Sequence, residues 1–401
     1  MTLTLALNSL GNRKGSVFLT LLAMTVSVFV LLGVEHIRSQ AKASFASTIS
    51  GVDLIVGART SNINLLLYSV FRIGAPTNNI GWESYEALAS NNKVAWTIPI
   101  SLGDSHEGYR VMGTSKAYFE HFQYGNKQPL DFADGQAFEA LYDVVLGAEV
   151  AKTLNYQLGD KIILAHGIGA TSFSLHEESP FEVVGILAPT GTPVDQALHV
   201  SLEGIEAIHS GTHGEAAESI DLTPESITAI FIGLESKLAT FTVQRSINNY
   251  SREPLVAVLP GVALSELWQI MNVLENTLRL ISSLVMLSAL LGLAAMLLAS
   301  LRERATEIQL LRTIGASPRY LFLLIQVEAL LISISAIACG ALLLQLTIQL
   351  LQATIASHYG VQVSSLGLSS HNLMFFIMII LATIFVASLP SAKAYQQASR
   401  V

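Results

Sequence analysis

Residues 278–301 read LRLISSLVMLSALLGLAAMLLASL, and the chain runs straight on into 302–319, RERATEIQLLRTIGASPR. The first stretch is long and apolar enough to cross a bilayer as a helix, which takes ~20 predominantly apolar residues. The second is short, polar and rich in arginine. Comparable apolar runs follow at 321–351 and 373–389, and one stands near the start at 16–34. Between that first run and residue 278 lie roughly 240 residues of mixed polarity, enough for a separate folded core. The expected fold is therefore an α-helical membrane protein with four transmembrane helices. A large α+β domain is inserted between the first and second.

Composition agrees. Of 401 residues, 51% are hydrophobic and only 13% charged, a balance that suits an integral membrane protein carrying a water-exposed insertion. Orientation follows from the basic residues. Arg13 and Lys14 precede the first run, Arg302, Arg304, Arg312 and Arg319 fall between the second and third, and Lys393 and Arg400 follow the last. Residues 352–372 contain neither Lys nor Arg. The positive-inside rule places both termini and the 302–319 segment in the cytoplasm, and the large insertion outside. That insertion holds 14 basic and 27 acidic residues over 35–279, a net of −13, while the rest of the chain carries +5. Nucleic acid is excluded as a partner, because binding it needs a basic footprint. The single cysteine, Cys339, sits in the third apolar run, so the outer domain must hold without a disulfide.

A signal peptide is the competing reading of the N-terminus. The run after Arg13-Lys14 is longer than the usual 7–15-residue apolar region, and the Ala41-Lys42-Ala43 sequence lies beyond the charged Glu35 and Arg38. Retention as a membrane span is the better reading. Residues 2–10 place Leu3, Leu7 and Leu10 at helical spacing, which suits a short interfacial helix.

The outer domain reads as α+β, with strands expected at 53–57, 94–102, 109–113, 144–147, 161–165, 181–187, 197–200, 228–234 and 256–260. Residues 143–199 form a β-rich subdomain inserted into the rest. The apolar stretch 61–73 is ambiguous between helix and exposed loop; Leu65, Leu66 and Phe71 within it are candidate substrate or dimer contacts.

The 302–319 segment divides into a charged helix with Ile308, Leu311 and Ile314 as its apolar ridge, Gly315 as its C-cap, and Pro318 opening the next helix. A short amphipathic helix between two spans suits docking into a partner's groove. An ordinary basic loop is the bland alternative, but the spacing is specific. Arg304, Glu307-Ile308, Leu311-Arg312 and Gly315-Ala316-Ser317 follow R-x-x-E-I-x-x-L-R-x-x-G-A-S. This series resembles the signature of the FtsX/MacB-like permeases, the MacB-type ABC transporter superfamily. The resemblance extends to the span layout and to 145–151, 158–162 and 181–187.

The resemblance implies a division into 1–34 (cytoplasmic N-terminus and first span), 35–276 (periplasmic MacB-like domain) and 277–401 (FtsX-like membrane domain with the coupling helix at 302–319). It implies a bacterial inner-membrane permease subunit that couples ATP hydrolysis by a separate ATPase to a periplasmic conformational change. The work done is mechanical: export or extraction of an amphiphile such as a peptide, antibiotic or lipoprotein. The alternative is transmission of a signal to a periplasmic partner without cargo. Implied partners are a dimer of cytoplasmic ABC ATPase subunits, a second permease chain in a homodimer or heterodimer, the lipid membrane, and in some arrangements a periplasmic adaptor. ATP and Mg would be held by the partner ATPase.

No catalytic residue is expected in this chain. No glycine is followed by lysine, so a phosphate loop is absent, as are the Gly-x-Ser-x-Gly and His-Glu-x-x-His signatures. His209 and His213 stand four apart, but Gly211 and Gly214 break the helix that would align them, so they read as loop histidines. His176-Glu177-Glu178 reads as a solvated acidic turn, and no metal site is expected. Glu328, in the third apolar run, is an intramembrane carboxylate that demands a partner. A structural hydrogen bond is favoured over a proton relay. Gln326, Gln345 and Gln349 share its span.

Overall fold

The computed structural model describes residues 2–167, 179–210, 221–359 and 370–399. Contacts divide it into two compact units: 1–40, 272–353 and 363–401 form one, and 41–271 with 354–362 the other.

The chain opens with α1 (Thr2–Asn12) and α2 (Lys14–Ser47). It then passes through β1 (Leu54–Ala58), α3 (Asn62–Ser69), β2 (Ile80–Gly81), α4 (Trp82–Ala89), β3 (Val94–His106) and β4 (Tyr109–Thr114). Next come α5 (Ala117–His121), β5 (Gln123–Tyr124), β6 (Gln128–Pro129), β7 (Phe132–Gly135), β8 (Asp143–Leu146) and α6 (Ala148–Leu154). β9 (Lys161–Ile162), β10 (Ala165–His166), β11 (Phe181–Leu187), β12 (Ala197–Ser201) and α7 (Leu202–His209) follow. The sheet region closes with β13 (Ser226–Ile227), β14 (Ala229–Leu234), α8 (Thr240–Asn248) and β15 (Leu255–Val258). Last are α9 (Pro260–Glu303), α10 (Ala305–Thr313), α11 (Pro318–Tyr359) and α12 (Ser370–Ser399).

Four helices, α2, α9, α11 and α12, are long and apolar enough to span a membrane. Much of their apolar surface faces outward, as in Phe18, Leu19, Leu284, Leu350 and Phe385. Such exposure would be untenable in water but suits lipid. Within the unit the helices meet through small and hydroxylated residues. A Cβ on Gly340 of α11 would stand 3.0 Å from the Thr25 carbonyl oxygen and 2.9 Å from Val28 Cγ1 of α2. Glycine is what permits this approach, since lipid offers no hydrophobic drive and association rests on close packing. Between α11 and α12, the Ser333 and Thr383 hydroxyls lie 2.9 Å apart, and Gln326 Nε2 donates to the Ile384 carbonyl at 3.3 Å.

The second unit is built on one mixed sheet ordered β15-β1-β14-β3-β4-β12-β8-β11-β7, with β10 on β3 and β9 on β11. Most neighbours are antiparallel; β12 runs parallel to β4 and β11 parallel to β8. The central strands are buried on both faces, so they read as continuous apolar runs rather than alternating ones. In β1, Ile55 joins the cluster of Tyr68, Tyr118 and Phe231, while Leu54 and Val56 join the opposite cluster with Ile230 and Ile232. The 143–199 region does not stand apart as the sequence suggests. Its strands β8, β11 and β12 continue the same sheet, because β12 pairs with β4 in register Leu198↔Val111. It does keep a separate core around Val144, Leu146, Phe181 and Leu198.

The ambiguity at 61–73 resolves as a helix. Ser61 Oγ accepts from the Asn64 amide, capping α3, and Leu65 and Leu66 are fully buried with Phe71 close behind. His199 of β12 is also fully buried, stacked on Tyr118 at 5.2 Å between ring centroids, with Nδ1 3.4 Å from the Val145 carbonyl. Burial, reinforced by the Arg72 guanidinium, pushes its pKa down to about 3.

Two outcomes follow from this packing. Replacing Gly340 with leucine should lower the thermal midpoint of the detergent-solubilised chain, through an overpacking loss of about 1–3 kcal/mol. The same change at Gly292, where a Cβ meets nothing within 4 Å, serves as the control and should be silent. For His199 the sign is fixed by linkage. The unfolded chain takes up a proton near the ordinary imidazole value of about 6.5 and the folded one does not until about pH 3. Stability is therefore held above pH ~6.5 and is lost as pH falls from there toward 3. In a tryptophan-fluorescence titration, His199→Gln should flatten this acid limb; an unaltered limb would assign the loss elsewhere.

Candidate functional site

The segment singled out in the sequence forms a corner. α9 ends at Glu303, and Arg304 leaves helical geometry at φ −100° and ψ 18°. α10 follows, and the chain then reverses at Gly315, whose φ of +102° is the left-handed conformation expected after a helix end. The Gly315 amide donates to the Arg312 carbonyl at 2.9 Å, and Arg312 Nη1 donates to the Ala316 carbonyl at 3.0 Å. Ser317 Oγ accepts from the Tyr320 amide at 3.3 Å and so caps α11. Arg312, Gly315, Ala316 and Ser317 thus build the turn.

A different subset faces outward. Glu307 is exposed, as are Leu310 and Ile314, at 63% and 76%. Ile308 and Leu311 lie within α10, but their side chains fall outside those described. Leu310 was not marked by the apolar ridge drawn on the sequence. It lies four residues before Ile314, and that spacing alone could have revealed it.

Arg304 ties the corner to the bundle. Its Nε donates to Glu307 Oε2 at 2.7 Å, and its Nη1 donates to Glu328 Oε1 at 3.2 Å. Arg13 reaches the other oxygen of the same carboxylate, Nη2 to Oε2 at 3.1 Å. Ser9 Oγ accepts from both guanidinium groups. Glu328 is 2% exposed, so its charge would be prohibitive without these partners. One carboxylate on α11 therefore holds the residue between α1 and α2 and the residue before α10, and both of these bond Ser9 of α1.

A second charged group occurs elsewhere in the same unit. Arg38 pairs with Glu35 at 2.5 Å and Glu275 at 3.0 Å, while Arg279 pairs with Glu35 at 3.1 Å. Glu35 and Arg279 line a cavity of about 310 Å³ whose other walls include Leu31, Met286, Phe375 and Met378. Its lining is mostly apolar, with Glu35 and Arg279 as the charged members. Sequence reading missed it, though Glu35/Arg38 and Glu275/Arg279 stand at helical pair spacing.

Leu65, Leu66 and Phe71 belong to the aromatic core under the sheet and offer no surface for substrate or a second chain. Their apolar character serves α3 docking instead. His176, Glu177, Glu178 and His213 lie outside the described residues.

Comparison with known families gives two matches. Residues 17–250 match the MacB-like periplasmic core domain, and residues 279–398 match the FtsX-like permease C-terminal domain. The chain belongs to the FtsX/MacB-like permease family.

This permease is a multi-pass membrane protein of the ABC-transporter type. Among solved structures it is similar to the periplasmic region of MacB from Actinobacillus actinomycetemcomitans, at 11% identity and TM-score 0.36, over 55% of this chain and 94% of that one. It is also similar to the extracellular domain of the noncanonic ABC-type transporter YknZ from Gram-positive bacteria, at 13% identity and TM-score 0.32, over 52% and 98%. No curated protein matches the chain.

The buried ion group yields a direct expectation for this permease. Glu328→Gln strips Arg13 of its counter-charge and leaves Arg304 with Glu307 alone, and should cost about 3–5 kcal/mol in unfolding measured in mixed micelles. Replacing Glu328, Arg13 and Arg304 together by leucine or methionine should recover much of that loss, because no buried charge is then stranded. An unaltered profile for the single variant would mean that the pairing carries no net energy.

Proposed function

We propose that this chain is the permease subunit of an ABC transporter, that α10 is the element that docks into a separate cytoplasmic ATPase, and that the chain exports or extracts an amphiphile. The observation that carries this reading is the outward face of α10, Glu307, Leu310 and Ile314, braced through Arg304 to a buried carboxylate in the third span. A docking helix that is to transmit force must be exposed on one side and anchored on the other. A freely solvated loop would need neither the Glu328 pairing nor the tight turn at Gly315.

In this reading both termini and α10 face the cytoplasm of a bacterium, the span helices cross the inner membrane, and the sheet unit is carried between the first and second spans on the periplasmic side. The charge division along the chain supports that orientation. ATP and Mg belong to the partner, whose closure pushes α10. The displaced spans would carry the stroke outward. One docking helix per chain fits two permease chains on an ATPase dimer. Transport of cargo is favoured over signalling without cargo by the cavity beside Glu35 and Arg279, which matches a molecule with an apolar body and a polar head.

The reading is tested by purification from native membranes. A P-loop ATPase should accompany the chain in equal ratio. Glu307→Lys and Leu310→Asp should each weaken that association at least about tenfold, in line with loss of an interfacial contact, and abolish coupled ATP turnover while leaving the thermal midpoint intact. Undiminished binding and turnover in both variants would refute α10 as the coupling element.

A further inference from the structure

Outside the membrane unit, three metal-ligating side chains converge that lie far apart in sequence. β10 pairs with β3 so that His166 is directly opposite Asp104, which sets the two side chains on one face of the sheet. α7 ends at His209 beside them. His166 Nδ1 and His209 Nε2 approach the same oxygen of Asp104, Oδ1, at 3.2 and 3.3 Å. The two imidazole rings stand 4.9 Å apart and nearly perpendicular.

These distances suit hydrogen bonds, and they also suit a metal shell. In a tetrahedral zinc site with bonds of ~2.0–2.1 Å, neighbouring ligand atoms are ~3.3–3.4 Å apart by geometry alone. Two edges of such a tetrahedron are present, and all three ligand atoms lie within 4.8 Å of one another. Only a small closure of the two rings would complete the third edge. A histidine pair around a carboxylate does not by itself satisfy the group at the centre. Asp104 is 1% exposed, and its Oδ2 has no hydrogen-bond partner among the described residues. A buried carboxylate oxygen left bare is expensive, and a cation beside it offsets that penalty. The His166 and His209 side chains are 59% and 31% exposed.

We propose that Asp104, His166 and His209 bind one divalent cation of the zinc class in the sheet unit. Two imidazoles and one carboxylate favour zinc, cobalt, nickel or copper over magnesium and calcium, which prefer all-oxygen shells. Three protein ligands leave a fourth position for water. The bound ion would clamp the C-terminal end of α7 to the β3–β10 pair. His209 was weighed with His213 as a ligand pair on sequence spacing; among the described residues it meets Asp104 and His166.

The test uses the full-length chain in detergent, purified through a tag free of histidine. Zinc titration by calorimetry should show one saturable site, and cobalt should give the visible absorption of a tetrahedral complex that zinc then bleaches. His166→Ala and His209→Ala alter exposed side chains, so the fold should survive. Each should weaken zinc binding by at least the ~10–100-fold that losing even an outer-shell partner costs, and should remove the zinc-induced rise in thermal midpoint. Asp104→Asn should behave alike. Absence of a saturable site would overturn the proposal, as would binding that persists in both histidine variants. The cluster would then be a hydrogen-bonded triad with no ion.

Discussion

A carboxylate inside a membrane helix must be neutralised, and in this protein that constraint organises the polar end of the bundle. Glu328 accepts from Arg13 on one oxygen and from Arg304 on the other, with Ser9 bridging the two guanidinium groups. The pairing joins the N-terminal helices, the corner before α10 and α11 through a single charge. Replacing it by apolar residues need not lose stability. Its value would lie in specificity, since Arg304 cannot swing without leaving Glu328 to Arg13 alone.

The sheet unit solves a different problem. It has no disulfide to lean on and carries a net negative charge, so its stability rests on burial from both sides. Strands β1 and β14 are buried along almost their whole length, and aromatic side chains fill one face around Tyr118, Phe119 and Phe231. Polar groups within such a core are constrained as strongly as apolar ones. His199 stays neutral between rings, Asp195 accepts from the Thr190 and Gly191 amides, and Asp104 draws two histidines to itself. Each is a place where chemistry survives inside packing.

Much of the architecture was legible beforehand, where local signals were strong. Strand 181–187 begins and ends in the structure where its pattern does. The corner at 302–319 was readable because Gly315 and Pro318 punctuate it. The short pairs β5 and β6 were not, since two residues carry no periodicity. Residues 161–165 read as one strand but divide into β9 and β10, which pair with different neighbours. The apolar run holding Leu65 and Phe71 was taken as a candidate contact surface because hydrophobicity alone does not say which side of a helix is covered.

Apolar run length and the placement of arginines marked, without any coordinates, four segments long and apolar enough to cross a bilayer and the arginine-rich segment between the second and third of them. Those properties are sums over neighbouring residues, and the solvent responds to them directly. Which charges meet was decided only by the folded molecule. Ser9, Arg13, Arg304 and Glu328, or Asp104, His166 and His209, are separated by tens to hundreds of residues. No spacing rule links them; helix packing in the one case and strand register in the other bring them within a hydrogen bond's length.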